Sequence, residues 1–201
     1  MKENFEDDEE FTMKDYEELI KDLKRKSKYP FIVKAGKDFH TALFNLFSKV
    51  WEDEKKPEGW KLTLMIQLFK GKGSKFDFGN QRFIHMKEEI PKSFEQLIIT
   101  KCKRRIVEYC SKFQIGAVPG HQPSEHLFTL KSIISFYQLL QMAIIISFYD
   151  IRKFFDSESL RDAMNSLYES EIRGKLYRLI FELNKNNVMT IQTGSGTTEP
   201  V

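Results

Sequence analysis

Ala143-Ile-Ile-Ile-Ser-Phe-Tyr-Asp-Ile-Arg-Lys-Phe-Phe-Asp156 is the stretch on which the fold class turns. Ala143 to Phe148 is short and almost wholly apolar, which predicts a strand buried on both faces. It is too short for a bilayer, which takes about 20 apolar residues. The run stops at Asp150, and Asp156 follows just before the helix signal Ser157-Glu-Ser-Leu160. Asp150 fits two roles. A carboxylate at the exit of a buried strand is a hard oxygen ligand for Mg²⁺, held by rigid backbone. It is equally the cap of a strand-to-helix turn, and spacing alone favours the cap.

Around that stretch lie 201 residues, enough for one sizeable domain or two small ones. A hydrophobic content of 41% with 6 Pro and 10 Gly excludes a disordered chain, and most of the 18 Phe need burial. The net charge of +3 is unevenly spread. Residues 1–18 hold nine acidic side chains against Lys2 and Lys14, a net −7, which leaves +10 on the remainder. A body of that charge suits a polyanion, nucleic acid first, although a lysine-rich surface for solubility gives the same count. Cys102 and Cys110, eight apart in one predicted helix, make neither a disulfide framework nor a zinc site and point to a reducing, intracellular setting, cytoplasmic or nuclear. No signal peptide and no membrane-length apolar run is present.

In chain order, residues 1–11 read as a solvated acidic tail, and Asp7-Asp8 is given no chemistry. Thr12-Met-Lys-Asp15 resembles a capping box opening a helix to about Lys26. A second helix covers Asp38 to Trp51, where the solitary His40 reads as structural. Residues 12–59 thus form a helical extension. From Lys61 to Lys70 the period changes, with Leu62, Leu64, Ile66 and Leu68 on one face of a half-buried strand. Lys70-Gly-Lys-Gly73 is a basic turn, and Phe83 to Met86 a return strand. The glycines let backbone approach a ligand, so the hairpin is a candidate phosphate clamp, without the spacing of a P-loop. Helices are expected from Pro91 to Lys112, from Ser124 to Gln141, over 158–168 and over 171–184, and a strand over 188–193. The chain reads as truncated, its last β-hairpin half built.

In that order, the parts resemble the reverse transcriptase of a retroelement, of the non-LTR kind. Residues 60–201 carry the resemblance: Ile66-Gln-Leu-Phe-Lys-Gly-Lys-Gly73, Asn80-Gln-Arg-Phe-Ile84, Lys92-Ser-Phe-Glu95, Gln114-Ile-Gly116, Pro119-Gly-His121, Glu125-His-Leu-Phe128 and Tyr149-Asp-Ile-Arg-Lys-Phe-Phe-Asp156. The implied fold is α+β, a right-hand polymerase fragment, mostly helical with short antiparallel strands. Its fingers-like region would span 60–142 and a partial palm 143–201. The implied chemistry is RNA-directed DNA polymerisation by two-metal nucleotidyl transfer, with an RNA template, a DNA primer, deoxynucleoside triphosphates and Mg²⁺, and no membrane. Asp150 matches the first catalytic aspartate, a ligand of both ions, and the Ile151 carbonyl faces a metal. Phe155 matches the aromatic gate that crowds a 2′-OH. Lys70 and Arg82 match the residues that hold the triphosphate, with Lys72 assisting or replacing Lys70. Asp156 takes a structural part. Phe154 stands where the family has a small residue, and Gln122 where it has an arginine.

A pair of ions ~3.5–4 Å apart needs more oxygen than one aspartate and one carbonyl supply. The family adds adjacent aspartates from a later hairpin. After Asp156 this sequence has only Glu158, Asp162, Glu169, Glu171, Glu182 and Glu199. The chain alone is therefore expected not to polymerise. Three readings compete: the front of a polymerase, a non-catalytic nucleic-acid-binding remnant of one, and a helical interaction protein with an incidental basic surface.

Overall fold

Thr12 opens the first helix in the structure, a computed structural model that describes residues 10–116, 118, 120–151, 158–193 and 196–200. Its hydroxyl accepts the Asp15 N–H at 3.3 Å, and the Asp15 carboxylate accepts the Thr12 N–H at 2.9 Å, the capping box expected there. Helix α1 (Met13–Arg25) buries Tyr16, Leu19 and Leu23 and ends on Lys24 and Arg25, whose charge suits the negative end of the helix dipole. The short α2 (Pro30–Lys34) starts on a proline, and α3 (Lys37–Asp53) buries Leu43, Phe47, Val50 and Trp51.

A 3₁₀ turn places Trp60 in the core and feeds β1 (Leu62–Phe69), which pairs antiparallel with β2 (Gln81–Met86) from Leu64↔Met86 to Phe69↔Gln81. Four helices follow: α4 (Glu89–Tyr109), α5 (Pro123–Leu139), α6 (Leu160–Glu169) and α7 (Gly174–Asn184). β3 (Val188–Thr193) then returns alongside β1, and β4 (Gly196–Thr197) pairs antiparallel with β3. The architecture is α+β, with seven α-helices and a sheet of order β2-β1-β3-β4 among the described residues.

Three expectations are corrected. The sheet is mixed, because β1 and β3 run parallel from Leu62↔Val188 to Met65↔Ile191; the helical crossover between them lets the chain re-enter in the same direction. Ala143 to Phe148 forms no strand. Residues 142–151 have no regular structure, with Ile145 93% and Tyr149 94% exposed. The run pairs with none of the four strands, and its backbone, lying in solvent, is left to water rather than to a ladder. Within β1 the buried residue is Thr63, while Leu62 and Leu68 are half-exposed. A strand paired on both sides divides its apolar residues over two faces, so Leu64, Met65 and Ile66 are all partly covered.

The core joins α1, α3, α4 and α7. Phe47 meets Phe94 at 5.1 Å between ring centroids, and Trp60 lies 5.5 Å from Phe94. Leu97, Ile98 and Cys102 continue this surface along α4, and Ile172, Leu176, Leu179 and Leu183 close it. Burial pushes the Cys102 thiol up to about 11, so it is an inert packing group; Cys102 and Cys110 are both free. Lys101 ties α4 to α1 through Asp15 at 2.9 Å, and Arg178 forks onto Glu54. Lys56 is buried, and its ammonium donates to the Leu183 and Lys185 carbonyls and to Asn187 Oδ1, which satisfies the C-terminal end of α7. No described helix is long and apolar enough to cross a membrane.

Candidate nucleic-acid interface

The β1–β2 hairpin gathers the cations that the sequence singled out. Lys70 pairs with Asn80 across the ladder through its N–H at 2.8 Å, so Lys70 and Arg82, two residues apart on the facing strand, share one face. The tip is tightly knitted. Asp77 Oδ1 accepts the Gly79 N–H at 2.8 Å, and Asn80 Nδ2 donates to the Ser74 carbonyl at 3.1 Å. Lys70 Nζ donates to the Gly79 carbonyl at 2.9 Å. Gly73 has a φ of +74°, and a Cβ there would stand 2.4 Å from Asn80 Nδ2. Only glycine fits.

On this frame the side chains of Lys72 and Arg82 make no hydrogen bond or ion pair with another described residue. Lys75 sits 5.8 Å from the centre of the Phe69 ring. Phe76 is 96% exposed and Phe78 67%, with the Phe78 ring stacked 6.5 Å from Phe83. These aromatics were not among the candidate residues that the sequence singled out. Their signal was the alternation of Lys75 with Phe76 and Phe78, basic and aromatic side chains in one turn.

Other cations drop out. On α4, Lys101 is held by Asp15 and lies over Trp51, Arg104 pairs with Glu108 at 3.7 Å, and Arg105 reaches the Glu171 carbonyl. Of the basic cluster on that helix, Lys103 stays exposed without such a partner. Gln122 acquires a role, as N-cap of α5 in a capping box with Glu125. His121 Nδ1 pairs with the same carboxylate, which this bond, ahead of the Gln122 N–H, holds below the usual carboxylate range.

No family model and no curated protein matches this chain.

Asp150 and Ile151 are exposed, in the irregular segment after Gln141. Asp150 makes no hydrogen bond or ion pair with another described residue, so nothing described brings it to the hairpin. Phe155, with Phe154 and Asp156, lies outside the described residues. Among the described residues no three of His, Cys, Asp and Glu are grouped closely enough to hold a metal ion. The donor set for a pair of Mg²⁺ ions is therefore not met by them. What the hairpin offers is charge and ring surface: ammonium and guanidinium groups for phosphate, and exposed phenyl faces for bases.

Proposed function

We propose that this chain binds nucleic acid through its β1–β2 hairpin, as the fingers portion of an RNA-directed DNA polymerase of the retroelement type. The observation that carries the reading is the placing of Lys70, Lys72 and Arg82 on one hairpin beside the exposed rings of Phe76 and Phe78. Phosphate contacts from the cations and stacking on the rings are the two terms by which proteins hold single strands and primer–template ends. The turn at Gly73 fixes the backbone that carries the cations before any ligand arrives, which lowers the ordering cost of binding. In this proposal the partners are an RNA template, a DNA primer and deoxynucleoside triphosphates. Asp150 as a Mg²⁺ ligand, with Ile151 and Phe155 beside the nucleotide, rests on the sequence resemblance alone.

Fluorescence anisotropy with a labelled RNA–DNA hybrid bearing a single-stranded overhang, titrated at several salt concentrations, tests the reading. Lys72→Ala and Arg82→Ala are each expected to reduce the slope of log K against log salt by about 1. Phe76→Ala is expected to weaken overhang binding by about 1–3 kcal/mol while leaving the slope intact. Unchanged affinity and slope in all three variants sinks the proposal. Tight binding with no Mg²⁺-dependent nucleotide incorporation is the outcome expected of a binding remnant.

A further inference from the structure

A second feature lies away from the hairpin, between α1 and α3. An open cleft of about 520 Å³ runs there, in the size range of ligand and peptide sites. Its floor is made by Met13, Tyr16 and Ile20 of α1 and by His40 of α3. The Tyr16 hydroxyl and His40 Nδ1 are 2.7 Å apart, and the two rings meet edge to face at 5.9 Å. Each polar end therefore satisfies the other, and burial pushes the Tyr16 phenol up to about 12, so it carries no charge at neutral pH. The floor therefore presents Met13, Ile20 and the two rings, with the Tyr16 hydroxyl already partnered.

The rim is different. Lys21, Lys24 and Lys37 line it, all three exposed and without an ion pair to another described residue. Among the described residues, Glu17 is the one carboxylate in the lining. Met13 at one end and Lys24 at the other are eleven residues apart, about 16 Å along a helix at 1.5 Å per residue. An apolar floor two turns long, from Met13 to Ile20, inside a cleft with a cationic rim is the complement of a helix with apolar anchors at i, i+4 and i+7 and acidic flanks. A phosphate polyanion would leave the apolar floor unused, and a small carboxylate would fill only part of the length.

We propose that the α1–α3 cleft is a docking site for an acidic amphipathic helix of a partner protein. The apolar anchors of that helix cover Met13, Tyr16 and Ile20, and its carboxylates meet Lys21, Lys24 and Lys37. The hydrophobic floor supplies the affinity, and the lysine rim selects charge and orientation.

The probe is a fluorescein-labelled peptide of about fourteen residues, three to four helical turns, with Leu and Phe at the anchor positions and Glu elsewhere. Saturable binding to the full chain is expected. The same peptide with Lys in place of Glu, and a scrambled version that breaks the anchor spacing, are each expected to bind at least about tenfold more weakly. The triple variant Lys21→Glu, Lys24→Glu, Lys37→Glu is expected to lose binding by a similar factor with an unchanged melting temperature, because all three side chains are exposed. Met13→Glu reports on the floor in the same way. Equal binding of the acidic and basic peptides, or full binding by the triple variant, overturns the proposal. So does the absence of binding at about 1 mM peptide. Displacement at lower concentration by a peptide of the sequence 1–9 assigns the cleft to this chain's own acidic segment instead, and displacement by decanoate assigns it to a small carboxylate.

Discussion

Asp15 serves two elements at once. Its carboxylate closes the capping box with Thr12 and accepts from Lys101 at 2.9 Å, so one side chain starts α1 and fastens it to α4. Burial pushes its carboxyl up, but the Thr12 N–H, the Lys101 ammonium and the Thr12 hydroxyl together hold it below its ordinary value of 3.8. A carboxyl depressed in the folded state binds its proton more weakly there than in the unfolded chain. The stability it adds is therefore complete above the unfolded value and is lost as pH falls through the folded one. Asp15→Ala should cost about 1–2 kcal/mol at pH 7 through the lost cap and the unpaired Lys101. The gap between wild type and variant should close as pH drops below 3.8. Urea midpoints at pH 7 and at progressively lower pH measure both statements; a gap that persists undiminished in acid would show that the ionised carboxylate is not what stabilises α1.

At the scale of elements, the hairpin tip is where backbone geometry and ligand chemistry meet. Gly73 combines a φ of +74° with an Asn80 side chain in the space of a missing Cβ, and that Asn80 amide in turn holds the Ser74 carbonyl. Gly73→Ala therefore strains the turn and displaces Asn80, at a local cost of about 1–3 kcal/mol. The hairpin tip buries nothing large, so the main thermal transition should move little while affinity for the RNA–DNA probe falls and β2 amides exchange faster. Normal probe affinity in this variant would mean that the shape of the tip does not matter for binding. The hairpin and most helices were legible because their signals are local: Thr12 with Asp15, Lys70-Gly-Lys-Gly73, and apolar residues at helical spacing. Other features were not. Lys56 finds its carbonyl partner at Leu183, 127 residues away, and nothing at the lysine announces it. Composition predicts that Ala143 to Phe148 prefers extended, covered backbone, yet whether a strand forms depends on a ladder partner and a covering layer from elsewhere in the chain. The candidate site was read in halves for the same reason: its cations from a contiguous turn, while the placing of Asp150 depends on long-range pairing that the described residues do not make.

For the molecule as a whole, the apolar residues divide into two populations. One is the core around Phe47, Trp60 and Phe94, closed by α1 and α7. The other is α5 and the segment after it, where no residue of α5 is buried and Phe128, Leu139 and Phe148 are each 75% exposed or more. Only area removed from water stabilises a fold, at roughly 25 cal/mol per Å², so the two populations contribute unequally although their compositions are alike. Phe94→Ala removes a fully buried ring from the centre of an aromatic cluster and should cost about 3–5 kcal/mol. The double variant Phe128→Ser, Phe148→Ser removes two rings that already face water, and its melting temperature should stay within about 2 °C of the parent. Because exposed apolar side chains favour association, the same double variant should stay monomeric to higher concentration in sedimentation velocity. Calorimetry on the three proteins decides the matter. If the double variant loses as much stability as Phe94→Ala, α5 and residues 142–151 are packed in solution, and the apolar stretch on which the fold class turned has found a partner within this chain.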